Sequence, residues 1–201
     1  FENVQFPRDE QSLAQFYRQM TPNTGAFDAK VVSDAISGLF DKIGSAILVT
    51  HSQGGGPGWM TAIQNPNVKA IVAYEPYSSF LFPEGEVPTP ISSTGLFGAL
   101  KGQAIPLEDF LKLTKIPIVI YYGDNIADAP TDIWNKDHWR SGLEMALKWA
   151  EVINKHGGDA TVVHLPEIGI KGNTHFPFSD LNNVEVAEAL SDWLKSKGLD
   201  K

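Results

Sequence analysis

A parallel β-sheet with helices on both faces is the fold class this sequence predicts, and three observations carry it. Short apolar runs rich in β-branched residues recur along the chain, helical patterns alternate with them, and turn-forming residues mark the joins. Taken in order, residues 28–43 read as a helix with Val31, Ala35, Leu39 and Phe40 on one face. Residues 45–50, "SAILVT", read as a strand buried on both faces, and a glycine cluster follows them. "VKAIVAYE" at 68–75 and "IPIVIYYGD" at 116–124 share its length and β-branched content. A helix over 141–156 closes on Gly157 and Gly158, a fourth strand spans 159–167, and a final helix over 182–198 repeats Val186, Leu190, Trp193 and Leu194 at helical spacing. Residues 76–115 break the alternation. They are rich in Pro, Gly, Ser and aromatics, too long for a plain connection, and read as a cap or lid inserted into a single domain of residues 1–201.

Bulk properties narrow the function. The 201 residues are 42% hydrophobic and 20% charged, which excludes a disordered chain. A net charge of -8 repels phosphate backbones and anionic membranes, so nucleic acid is not expected as a partner. No run of about 18 apolar residues exists to span a bilayer. The absence of cysteine removes disulfides, thiolate metal sites and cysteine nucleophiles, and leaves the compartment open. The first residues, "FENVQFPRDE", do not read as a signal peptide and carry no initiator Met.

The stretch "LVTHSQGGGPGW" sets Ser52 between an apolar strand and a run of glycines. Strand, tight turn and helix is the setting of a nucleophile elbow, which holds a serine hydroxyl exposed at the carboxyl end of a parallel strand. Gly54 and the glycines after it allow the following helix to approach the strand, and the Gln53 amide at its start is placed to bind an oxyanion. Thr50 stands where the first glycine of G-x-S-x-G would be. A serine that only caps a helix is the competing reading. A phosphate-binding loop is disfavoured, because no Lys-Ser or Lys-Thr pair follows and the glycine spacing is wrong.

A serine nucleophile needs a base, and the base needs an acid to orient it. Of five histidines, His51 is expected to turn its side chain away from Ser52, His138 sits in the helix-like "KDHWR", His156 lies near a helix C-terminus, and His164 is inside a strand. His175, in the loop "GIKGNTHFPFSD" between last strand and last helix, falls where the base is required. Two acids remain open on the residues alone. Glu75 ends the strand after the nucleophile's helix, and Asp124 ends the next.

With "THSQGG", "AYEP", "YYGDNI" and "LPEIGIKGNTHFPFSDLNN" in place, the chain resembles an α/β-hydrolase and, more narrowly, a group of small bacterial esterases, over most of its length from Ser45 onward. The resemblance implies the triad Ser52, His175 and Glu75, with Asp124 beside it, and carboxylic ester hydrolysis without metal or organic cofactor. The same triad acting on a lactone, thioester or amide, or a catalytically silent binding domain, are the rival readings. Tyr77, Phe80, Phe82, Leu96 and Phe97 in the 76–115 segment are expected to wall an apolar acyl or alcohol pocket for a small ester.

Residues 1–44 show no strand pattern, whereas a hydrolase sheet has strands ahead of the elbow strand, one of whose loops supplies the second oxyanion donor. The front of the sheet is therefore expected outside this chain, in a further N-terminal segment or a second chain that pairs with the edge at 45–50.

Overall fold

The computed structural model describes residues 3–22 and 25–200. Helix α1 spans Glu10–Arg18 and α2 Ala29–Ile43, each opened by an aspartate, Asp9 and Asp28, whose carboxylate accepts backbone N–H groups of the first turn. Strand β1, Ala46–His51, runs through a 3-10 turn at Ser52–Gly54 into α3, Gly55–Gln64. Strand β2, Val68–Tyr74, follows. The 76–115 segment then contributes β3 (Leu81–Pro83), β4 (Gln103–Ile105) and α4 (Leu107–Leu113). Strand β5 (Pro117–Tyr122), the long helix α5 (Trp134–Lys155), β6 (Asp159–His164) and α6 (Asn183–Ser196) complete the chain.

The main sheet has the order β1-β2-β5-β6, every pairing parallel. Because side chains alternate across a strand, β2 and β5 bury both faces. Ile71, Ala73, Ile118, Ile120 and Tyr122 pack beneath Trp59 and Trp149 on one side, while Val72, Tyr74, Val119 and Tyr121 meet Leu165 and Val186 on the other. The 76–115 segment is welded into the first of these cores. Phe80, Phe82, Phe110 and Leu113 are fully buried, and Trp149 donates its indole N–H to the Leu81 carbonyl.

Three expectations change. Strand β1 is not buried on both faces: it forms an edge of the sheet, and Val49 is 57% exposed. In α2, Val31 and Leu39 point outward, because α2 meets α3 along a narrow strip around Ser33 and Phe40, where Asn65 donates to Ser37 and Asp41. The α5 pattern starts seven residues before position 141, which puts "KDHWR" in the first turns of the helix rather than ahead of it.

Candidate active site

The strands end where the chemistry of the sequence lies. Ser52 leaves β1 with φ of 55°, in the left-handed region that costs a non-glycine residue about 1–3 kcal/mol. Close packing holds it there. A Cβ on Gly55 would come within 2.6 Å of Pro76, and one on Gly56 within 2.7 Å of Ser79, so only glycine lets α3 lie against the chain that follows β2. Thr50 fits for a related reason: its Cγ2 occupies the space that a Cβ on Gly58 would enter at 2.8 Å.

Glu75 terminates β2, also in the left-handed region with φ of 43°, and is 2% exposed. Its amide donates to the Tyr121 carbonyl at 2.8 Å, and its Oε1 accepts the Gly123 N–H at 2.7 Å. Oε2 accepts from His175 Nδ1 at 2.6 Å, and His175 Nε2 faces the Ser52 hydroxyl at 2.9 Å. Serine, imidazole and carboxylate thus form one continuous hydrogen-bonded chain. His51 meets His175 rather than Ser52: the His175 loop folds over the end of β1, and His51 Nε2 donates to the His175 carbonyl at 2.7 Å with the two rings 4.4 Å apart. Burial, and secondarily the charge of His175, pull His51 down to about 4, so it is neutral at pH 7.

The His175 loop is braced from below. Asp124 Oδ2 accepts the Gly172 amide at 2.7 Å and does not touch the imidazole. Asp180, fully buried, accepts from the Thr174 amide and hydroxyl at 2.8 and 2.9 Å and from Asn173 Nδ2 at 3.2 Å. Burial raises the Asp180 carboxyl, with these bonds opposing the rise.

Beside Ser52 and Gln53 opens a cavity of about 590 Å³, walled by Tyr77, Ser78, residues 97–101, His138 and Trp139. Tyr77 and Phe97 line it as the sequence suggests, though Phe97 is mostly solvent-exposed. Phe80 and Phe82 do not. Both are buried in the core under the sheet, where Phe80 stacks on Trp59 and meets Trp149 edge-on. Leu96 is exposed and outside the cavity wall. In their place α5 supplies His138 and Trp139, the latter stacked on the His175 ring at 4.1 Å. The start of α5 is fixed by Asp137, which accepts from Arg140 Nε at 2.6 Å and from the Thr94 and Thr131 amides; the Arg140 bond first of all holds its carboxyl down to about 2. No cluster of three or more His, Asp or Glu that could hold a metal occurs among the described residues, and none of their helices is long and apolar enough to cross a membrane.

No protein-family model matches the chain. A probable secreted lipase, phiG, of Fungal sp. (strain ATCC 74256) is 30% identical over 193 residues, covering 81% of this chain and 49% of that protein. The solved structure of a novel bacterial esterase superposes with a TM-score of 0.71 at 28% identity, covering 98% of this chain and 52% of its own. The chain thus spans about half the length of each. Its parallel sheet, with a serine turned out at the end of β1 and a solved esterase superposing along nearly all of it, gives the protein an α/β-hydrolase fold.

Proposed function

We propose that this protein hydrolyses carboxylic esters through an acyl-enzyme, with Ser52 as nucleophile, His175 as base and Glu75 as the acid that orients it. The observation that carries the reading is the unbroken chain of hydrogen bonds from the Ser52 hydroxyl through both nitrogens of His175 to Glu75. The likeness to a bacterial esterase and a probable lipase supports the same bond type.

Ser52 Oγ attacks the ester carbonyl carbon as His175 Nε2 takes its proton, and the carbonyl π electrons move to oxygen. The Gln53 amide donates to that oxyanion. Collapse expels the alkoxide, which receives the proton from Nε2, and Ser52 is left acylated. Water then repeats the sequence, giving its proton to Nε2, and the acid departs as Ser52 regains a hydrogen. Throughout, the Glu75 carboxylate holds Nδ1–H and stabilises the imidazolium. A second oxyanion donor, and a further strand pairing with the outer edge of β1, belong to the same reading; the exposed Val49, and Val31, Leu39 and Ile43 on the outer face of α2, are the apolar surface that such a segment would cover.

A fluorophosphonate, which phosphonylates only an activated serine, tests the proposal. One adduct per chain, mapping to Ser52 and absent from Ser52→Ala together with hydrolysis of p-nitrophenyl acetate, is expected. Turnover that survives Ser52→Ala would remove Ser52 from the mechanism.

A further inference from the structure

His138 is only 8% exposed, yet neither of its ring nitrogens has a hydrogen-bond partner among the described residues. Nδ1 is sealed in against Gly95, where a Cβ would come within 2.7 Å of it. Nε2 is not sealed, and the residue lines the cavity beside Ser52. Burial, and then the charge of His175, lower this imidazole to about 4, so at neutral pH it carries one N–H. A buried donor without a partner is rarer and costlier than a buried acceptor without one. The hydrogen therefore belongs on Nε2, as a donor presented to the cavity.

The surroundings are aromatic. Tyr77 stacks on the His138 ring at 3.4 Å and 18°, anchored by its hydroxyl to Ser141, which in turn donates to the His138 carbonyl. Trp139 meets the same ring edge-on at 4.7 Å, and Phe97 lies 5.9 Å away. Lys101 is the only charged side chain among the described residues lining the cavity, and it too is a donor.

We infer that this cavity is a subsite for an aromatic ring bearing an oxygen acceptor, with His138 Nε2 donating to that oxygen and the Tyr77, Trp139 and Phe97 rings contacting its π face. Built on the ester hydrolysis proposed above, this makes the preferred substrates esters of oxygen-substituted arylalkyl groups. His138 is the residue that selects the oxygen, and the rings select the aryl group.

Three methyl esters separate the two contributions: 3-(4-methoxyphenyl)propanoate, 3-phenylpropanoate and 3-cyclohexylpropanoate, whose methylene spacers insulate the carbonyl from the ring. The matching 3-arylpropyl and 3-cyclohexylpropyl acetates carry the same groups on the alcohol side. In at least one series, kcat/KM is expected to be about fivefold higher for methoxyphenyl than for phenyl, and about threefold higher for phenyl than for cyclohexyl. His138→Phe keeps a ring in place and brings the first ratio to about one, and His138→Gln, which restores a donor, recovers part of it. Calorimetric titration of Ser52→Ala with the three free acids reads the same order without turnover. Absence of all hydrolysis would thus count against the ester reading alone, while the binding order still judges the subsite. Ratios of about one in both series, or a methoxy preference that survives His138→Phe, would overturn the inference.

Discussion

Gly123 sits where three parts of the site converge, and replacing it with Ala tests whether their packing sets the His175–Glu75 pair. A Cβ there would lie 2.9 Å from Glu75 Oε1, 3.0 Å from the Thr174 carbonyl and 3.1 Å from the Asn173 carbonyl, against an ordinary contact of 3.4 Å or more. Relief requires movement of about 0.3 to 0.5 Å by two backbone carbonyls or by a carboxylate that hydrogen bonds to Gly123 and His175 hold in place. Two are backbone of the His175 loop, and the third is the carboxylate that accepts the Gly123 amide. Glu75 and the loop that carries His175 are therefore both displaced. Misplacement on this scale is expected to lower kcat roughly 10- to 100-fold, with a stability cost of about 1–3 kcal/mol from overpacking. Steady-state turnover of p-nitrophenyl acetate and urea denaturation read the two effects. Gly38→Ala is the control: it lies in α2 with nothing within 4 Å of an added Cβ, and gains about 1 kcal/mol of helix stability with kcat unchanged. A Gly123→Ala protein with kcat within twofold of native would refute the idea that this crowding holds the pair in register.

Two further outcomes follow from the same geometry. Glu75→Gln is expected to cost roughly 10³- to 10⁴-fold in kcat, because the amide favours the wrong imidazole tautomer, whereas Asp124→Asn, which keeps an oxygen for the Gly172 amide, loses under about tenfold; the reverse ranking in initial-rate assays would exchange their roles. His51 and His138 have folded pKa values near 4 against 6.5 in the unfolded chain, so between these values the unfolded state binds more protons. The stability they contribute is complete above pH 6.5 and is lost as pH falls toward 4, by up to about 3 kcal/mol each. Urea midpoints from pH 7.5 to 4.5 should fall accordingly, and should fall less steeply in His51→Gln. A flat profile in the native protein would contradict this.

Fold and chemistry were legible to different degrees. The four strands of the main sheet, and the chain order of Ser52, a strand-end carboxylate and His175, are visible in local pattern, most plainly at β2 and β5, where burial on both faces leaves an unbroken β-branched run that sequence displays directly. The choice of Glu75 over Asp124 as the neighbour of His175 does not. It depends on how the 169–182 loop folds back over the strand ends, which Asp180, Asn173 and Thr174 determine through contacts far from either acid. The cavity wall was half legible. Phe80 and Phe82 look like pocket aromatics in a Pro- and Gly-rich segment, but the chain entering and forming β3 carries them into the core under the sheet, where Phe80 packs against Trp59 and Trp149. His138 and Trp139 look like ordinary helix residues until the Asp137–Arg140 pair fixes the start of α5 beside Ser52.

Thr50 and Gly58 show what a pattern of single positions leaves out. The strand and the helix that follow one another at the elbow share a fixed volume, and this chain spends it on the strand side, with a threonine methyl filling what a Cβ on the helix would otherwise take. Glycine at position 50 would release that volume to position 58, so the two residues vary as a pair whose sum, rather than either member, the turn requires. A chain with this fold can thus lack the first glycine of the motif and keep the same serine geometry, provided the eighth residue after it remains small.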